Sequence, residues 1–215
     1  MIGFSEGFHD AAVAVVNDGK ICYATHSERY SRRKHDKHLD ITAASTAQLL
    51  CHDGKIAFYE RPWLKRTRQL FAGQKAWYRS RHLSLKPTQY YSHHKSHAAA
   101  AFQTSPFDQA ACVVVDSIGE WDTTSIWTAE YKDGKAVYKK RWSQWYPQSI
   151  GLWYSALTKW AGLRPLDEEY IFMGMAGFGN PVHMNVVERQ LHKNNHKGAR
   201  LSLIHISEPT RPLTI

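Results

Sequence analysis

Residues 11–24, AAVAVVNDGKICYA, decide the fold because they place an Asp-Gly turn between two β-prone runs. Small and β-branched residues on either side of the turn favour strands, and Gly19 accepts the positive φ that a type I′ hairpin turn requires. A short apolar run, Ile2-Gly3-Phe4-Ser5, comes earlier. The sequence therefore predicts a strand, a loop containing Gly7-Phe8-His9-Asp10, and a β-hairpin.

The same pattern returns later in the chain. Ala111–Val115 is a continuous apolar run typical of a buried strand, and Thr123–Tyr131 and Ala136–Trp142 are further strands separated by Asp133-Gly134. We predict that Asp116–Glu120 is the loop between the first two strands. Two strand-loop-strand units with the same turn suggest an internal duplication, although two ordinary hairpins in an α/β protein would give the same pattern.

The segment between these units is predicted to be mostly helical and is strongly basic. The net charge of +9 favours anionic partners such as nucleotides, acyl phosphates or nucleic acid. Interleaved basic and aromatic residues can bind single-stranded nucleic acid, but we favour an amphipathic helix whose cations extend to solvent. The residues concerned are Lys65, Arg66, Arg68, Lys75, Arg79 and Arg81, among Trp63, Phe71, Trp77 and Tyr78.

Two more helices are predicted after the second unit. Pro147-Gln148-Ser149 opens one of them, and apolar residues follow at helical spacing. Asp167-Glu168-Glu169 opens the other, as acidic residues do at the positive end of a helix. Small residues at 174, 176, 177 and 179 then allow the backbone to approach a ligand or a neighbouring element, or simply form a tight turn.

The histidine-rich stretch HHKSH at residues 93–97 runs into four alanines, which are strong helix formers. His93 and His97 are four residues apart, so on a helix both imidazoles leave the same face and could share one metal ion. Ordinary surface or core histidines would explain the spacing equally well. His192 and His196 form another such pair, but a Lys-Gly sequence follows them and favours no helix.

Neither a membrane span nor a signal peptide is recognisable in the sequence. We therefore expect a cytoplasmic protein with no membrane association. The stretch Leu201–Arg211 resembles the translation of a sequencing-library adapter. We expect residues 1–200 to be the native part of one domain and residues 201–215 to be adapter read-through.

Several short motifs occur in order along the chain. They are GFHD at 7–10, ERYSRRKHD at 28–36, HHKSHAA at 93–99, VDSIGE at 115–120, PQSIG at 147–151, and Glu169 with MGMA at 173–176. Together these motifs resemble the N-terminal domain of the O-carbamoyltransferases that modify antibiotics and nodulation factors. The resemblance covers nearly all of residues 1–182.

The resemblance implies an α/β fold of the actin/hexokinase-like (ASKHA) type, with a duplicated mixed sheet and flanking helices that is incomplete in this chain. It also implies a relationship to the tRNA threonylcarbamoyl-transfer proteins and a YrdC-like domain that would follow Arg200, near which we expect the native sequence to be truncated. In the family, carbamoyl phosphate and ATP give carbamoyl-adenylate. The carbamoyl group then passes to an acceptor hydroxyl at an iron-bearing site.

The resemblance further implies roles for individual residues. A further metal-binding carboxylate expected from the family would lie beyond Arg200, so this stretch is expected to be inactive alone. The expected partner is a small molecule with a hydroxyl; a nucleic-acid-associated threonylcarbamoyl- or carbamoyl-transfer module and a non-catalytic actin-like nucleotide-binding domain remain as alternatives. By role, the residues are His93, His97 and Asp116 for Fe(II) or another divalent metal; His9 and Lys34 for catalysis in the carbamoyl and phosphate pocket; and Gly119, Glu120 and Gly174 for ATP.

Overall fold

The computed structural model describes residues 1–8, 10–51, 54–73 and 83–186. The chain divides after His97 into two compact units, each built on a β-sheet with helices packed against it. The predicted α/β class with a mixed sheet and flanking helices is therefore confirmed. The predictions for His9, for the basic and aromatic residues within 74–82, for His192 and His196, and for residues 201–215 lie outside the described residues.

The first unit contains a five-stranded sheet in the order β3-β2-β1-β4-β5. Neighbouring strands among the first three are antiparallel, whereas β4 runs parallel to β1 and β5 runs parallel to β4. The strands are β1 (Ile2–Ser5), β2 (Ala12–Asn17), β3 (Lys20–His26), β4 (Ile56–Phe58) and β5 (Gln89–Tyr90).

The predicted hairpin is confirmed in β2 and β3. Asp18 has φ 48° and Gly19 has φ 75°, which are the two positive values of a type I′ turn. The loop containing Gly7 and Asp10 follows β1, as expected. Strands β4 and β5 were not predicted, because runs of three and two residues are too short to show a strand pattern.

The helices of the first unit are α1 (Glu28–Ser31), α2 (Ile41–Leu50) and α3 (Pro62–Phe71). Helix α2 is capped by Asp40, whose Oδ1 accepts hydrogen bonds from the backbone N–H groups of Thr42 and Ala43. Its alanines are buried in the core of the first sheet, where Phe58 is fully buried beside the ring of Phe4. Small side chains let the helix lie close to the strands.

Helix α3 differs from the predicted amphipathic helix with solvated cations. Lys65 and Arg68 are buried, whereas Trp63, Leu70 and Phe71 are exposed. The prediction of a solvated cation is therefore wrong for Lys65 and Arg68, although Arg66 is exposed as predicted. For Lys65 the reason is a buried carboxylate that binds its ammonium group.

Helix α4 (His93–Gln103) leads into the second sheet, which is antiparallel with the order β6-β7-β8. Asp133 and Gly134, with φ 49° and 70°, repeat the type I′ turn. The remaining elements are β6 (Gln109–Gly119), β7 (Asp122–Lys132), β8 (Lys135–Trp145), α5 (Ile150–Trp160), α6 (Glu169–Met175) and a 3₁₀ helix (Ala176–Phe178).

The predicted loop Asp116–Glu120 is largely the end of β6 rather than a loop. Its pairing with β7 lapses after Val115 and resumes where Gly119 faces Asp122. The strand therefore continues through an irregular stretch that the residue types did not indicate. Within the described part of the chain, none of the helices has the length and apolar character needed to cross a membrane.

Candidate metal centre

The alanine-rich helix α4 places His93 and His97 one turn apart. Their Nε2 atoms are 3.0 Å apart, and the ring centroids are separated by 4.8 Å. Both imidazoles therefore leave the same face of the helix, as the four-residue spacing predicts.

This separation agrees with two different arrangements. It is an ordinary distance for an N–H···N hydrogen bond. Two nitrogen ligands that each lie ~2.1 Å from an ion, at right angles to one another, are also ~3.0 Å apart. The pair alone does not distinguish them, so the nature of the neighbouring groups decides what the site can bind.

The two imidazoles on α4 are the possible metal ligands of the first unit. Asp116, the third residue of the predicted site, belongs to the second unit and is described by itself below. Imidazole nitrogen is a ligand that suits Fe(II), Zn²⁺ and similar divalent ions. The histidine pair therefore fits the implied metal.

Near the end of β6, a backbone N–H group binds the side-chain carboxylate of Asp116. The N–H of Ser117 donates to Oδ1 of Asp116 at 2.7 Å. Ser149, which caps α5, donates its hydroxyl to the Ser117 carbonyl at 2.7 Å. A Cβ built on Gly151 would lie only 2.7 Å from Ser117 Cα, so glycine is what lets α5 approach this strand. The PQSIG motif thus supports the Asp116 segment.

Glu60 is a carboxylate of the first unit that lies beside His93, and the sequence reasoning missed it. Its side chain is only 2% exposed. Oε1 accepts a hydrogen bond from Lys65 Nζ at 2.9 Å, and Oε2 lies 3.3 Å from His93 Nδ1. Burial by itself would raise the pKa of Glu60, but His93 and Lys65 outweigh this effect and hold the pKa below its ordinary value.

The loops that carry two predicted motifs lie side by side. The N–H of Gly7 donates to the carbonyl of Lys37, and the N–H of Ala11 donates to the carbonyl of Asp36, both at 2.8 Å. The described neighbours of His9 therefore lie next to the loop that contains Lys34.

A side-chain contact also joins these loops. Asp10 Oδ1 is 3.4 Å from His35 Nδ1, and both residues have positive φ, 49° and 57°. Left-handed backbone at non-glycine residues is uncommon and is often found at functional sites. Lys34 lies in the adjacent turn and is exposed, so its position allows contact with a dissolved anion.

The three residues predicted to bind ATP differ in backbone conformation. Gly119 ends β6, and Glu120 follows with φ 58° and a buried side chain. Gly174 lies inside α6 rather than in the tight turn considered above. A Cβ built on Gly174 would meet no heavy atom within 4 Å in the described part of the chain, so no described element approaches closely there, and the approach of a ligand stays a prediction.

Comparison with known proteins gives a family match that includes the histidine pair and Asp116. A family model described as carbamoyltransferase N-terminus matches residues 58–205. An uncharacterized protein of Synechocystis sp. is 32% identical over 225 residues, which cover 87% of this chain and 36% of that protein. The nodulation protein NolNO of Sinorhizobium fredii is 25% identical over 228 residues, which cover 92% of this chain and 32% of that protein. The chain therefore spans about a third of the length of these relatives.

Proposed function

The chain belongs to the family described as carbamoyltransferase N-terminus, and from this membership we propose that it is part of a longer enzyme that transfers a carbamoyl group to a hydroxyl of a small molecule. The proposed donor is carbamoyl-adenylate, formed from carbamoyl phosphate, water and ATP with release of phosphate and pyrophosphate. During transfer, the acceptor oxygen bonds to the carbamoyl carbon. The bond from that carbon to AMP breaks, and a base takes the hydroxyl proton.

The observation that carries the proposal is the histidine pair on α4. The Nε2 atoms of His93 and His97 are 3.0 Å apart, and the resemblance to the family adds Asp116 as a further ligand. We assign these residues to Fe(II) or another divalent ion. Such an ion, when bound with open positions, polarises a carbonyl group or acidifies a hydroxyl.

The remaining residues are assigned to the donor. The ammonium group of Lys34 would offset phosphate charge, and His9 would contact the carbamoyl group or carry a proton. The close approach of their two loops supports this assignment. Gly119, Glu120 and Gly174 are assigned to ATP, with backbone N–H groups near Gly119 directed at phosphate oxygens.

We also propose that the fold is of the actin/hexokinase-like type. Two features support this proposal. The first unit has a mixed sheet with the strand order β3-β2-β1-β4-β5. A three-stranded antiparallel arrangement with the same Asp-Gly turn also occurs in both units. A duplicated α/β fold of this type would contain two such units.

The test separates the two half-reactions in the longer enzyme. His93→Ala or His97→Ala is expected to abolish transfer and to remove the bound metal, which elemental analysis measures. Carbamoyl-adenylate formation, measured as the exchange of labelled pyrophosphate into ATP, should be largely retained. The reason is that other residues are assigned to bind the donor. His183→Ala, which removes an exposed histidine of the second unit, is the control. Unchanged transfer in both histidine variants would refute the proposal.

A further inference from the structure

The carboxylate of Glu60 is bound on both sides by different groups. Oε1 accepts from Lys65 Nζ at 2.9 Å, whereas Oε2 lies 3.3 Å from His93 Nδ1. Since the two oxygens have different partners, the carboxylate cannot rotate without losing one of them. Glu60 therefore has a defined orientation relative to the imidazole of His93.

The charge of Glu60 is compensated inside the protein. A buried carboxylate is costly unless a partner balances its charge, and Lys65 supplies that partner with a side chain that is only 8% exposed. The Lys65 ammonium also lies 4.8 Å from the centre of the Phe8 ring, which is a favourable cation–π distance. Lys65 thus connects Glu60 with the residue that precedes His9.

This arrangement determines which nitrogen of His93 carries the proton. An ionised carboxylate can only accept hydrogen bonds, so Nδ1 must be the donor in its contact with Glu60. In the neutral ring, Nε2 then bears the lone pair, and Nε2 is the atom that faces His97. Histidines that bind metals commonly donate their other N–H group to a carboxylate or carbonyl in this way.

We propose that Glu60, held by Lys65, is a positioning residue that fixes His93 in the Nδ1–H tautomer and presents Nε2 as a metal ligand. The metal-binding part of this inference rests on the proposed function. The tautomer of His93 does not, because it can be measured in the metal-free protein.

The experiment uses the full chain with three variants. Glu60→Leu combined with Lys65→Met removes the buried ion pair and leaves apolar side chains in its place, which folded proteins often tolerate. Glu60→Asp keeps the charge for Lys65 but shortens the side chain by one methylene group. Glu6→Gln is the matched control, since Glu6 is also a buried carboxylate but accepts hydrogen bonds from Leu39 and Ser84.

Two measurements are made on each protein. Nitrogen-15 NMR of the imidazole rings reports the tautomer of His93 in the metal-free protein, and titration with Co²⁺ followed by absorption reports metal affinity. We expect the Nδ1–H tautomer in the original protein and in Glu6→Gln. The double variant should lose this preference and bind Co²⁺ ~10–100-fold more weakly. Glu60→Asp should change both properties in the same direction but less.

The outcomes separate this inference from the proposed function. An unchanged tautomer and unchanged Co²⁺ affinity in the double variant would overturn the inference. If that variant does not fold, the same unchanged results in Glu60→Asp would overturn it. If the original protein binds no Co²⁺ but the variants lose the Nδ1–H tautomer, the metal site of the proposed function fails while the positioning role of Glu60 stands.

Discussion

The two strand units have nearly the same turn but different surroundings. Asp18-Gly19 has φ values of 48° and 75°, and Asp133-Gly134 has values of 49° and 70°. The first unit extends its sheet with two parallel strands and buries Phe58 completely. The second sheet, in contrast, has exposed apolar residues on one face, including Val113, Ile126 and Trp142. Local sequence thus produces the same turn twice, while distant parts of the chain decide what covers each sheet.

The strongest test of this contrast compares Phe58→Ala with Val113→Ala. Phe58 is fully buried against Phe4, whereas Val113 is 65% exposed. Phe58→Ala should lower the free energy of unfolding by about 3–5 kcal/mol, because it removes buried contacts and leaves a cavity. Val113→Ala should change it by under about 0.5 kcal/mol. Denaturant unfolding measures both, and equal losses would show that the exposed face of the second sheet is in fact covered.

A second test compares two glycines whose surroundings differ. A Cβ on Gly151 would lie 2.7 Å from Ser117 Cα, whereas a Cβ on Gly3 in β1 would meet nothing within 4 Å. Gly151→Ala should destabilise the protein by about 1–3 kcal/mol through overpacking. Gly3→Ala should stabilise it by about 0.4–1 kcal/mol, because alanine reduces the entropy of the unfolded chain. Thermal unfolding measures the two shifts, and the same sign for both would contradict the described packing.

The turns themselves provide a third test, in which the two units should behave alike. Gly19 and Gly134 both have positive φ, and a Cβ on either would meet nothing within 4 Å. Gly19→Ala and Gly134→Ala should each cost about 1 kcal/mol, because an L-residue is disfavoured in left-handed backbone. Denaturant midpoints measure the two losses. A large difference between them would mean that the surrounding sheet, rather than the local turn, determines the cost.

The smallest expected effect depends on pH and concerns the second unit. Partial burial would raise the pKa of Glu169, but hydrogen bonds from Ser155 and the backbone N–H of Leu166 outweigh it and lower the pKa below the ordinary 4.5. A carboxyl group with a lowered pKa in the folded state stabilises the protein above pH 4.5, and this contribution is lost as the pH falls through the lower folded value.

Glu169→Gln should therefore lower the melting temperature at pH 7, and the difference from the original protein should shrink below pH 4.5. Melting curves across this range measure the effect, with Glu130→Gln as the control, since Glu130 is a partly exposed glutamate on β7 that forms an ion pair with Lys132. If the difference in melting temperature between Glu169→Gln and the original protein does not change with pH, the ionised carboxylate does not make the proposed contribution.

The candidate site was predictable where its parts are close in sequence. The spacing of His93 and His97, followed by alanines, correctly places both rings on one helix face. The same reasoning missed Glu60 because it lies 33 residues from His93 and shows no spacing pattern with it. It also predicted a solvated Lys65, because a lysine in a basic segment gives no sign of a buried carboxylate partner.

By itself, the sequence determined the two Asp-Gly turns, the helix that begins after Ser149 and the common face of the two histidines. These features depend on φ preferences, capping and helical periodicity, which act within a few residues. Only the tertiary structure decided that β4 pairs with β1, that the loops of Gly7 and Lys37 meet, and that Glu60 contacts His93. These contacts join residues far apart in the chain, so they depend on the path of the folded backbone.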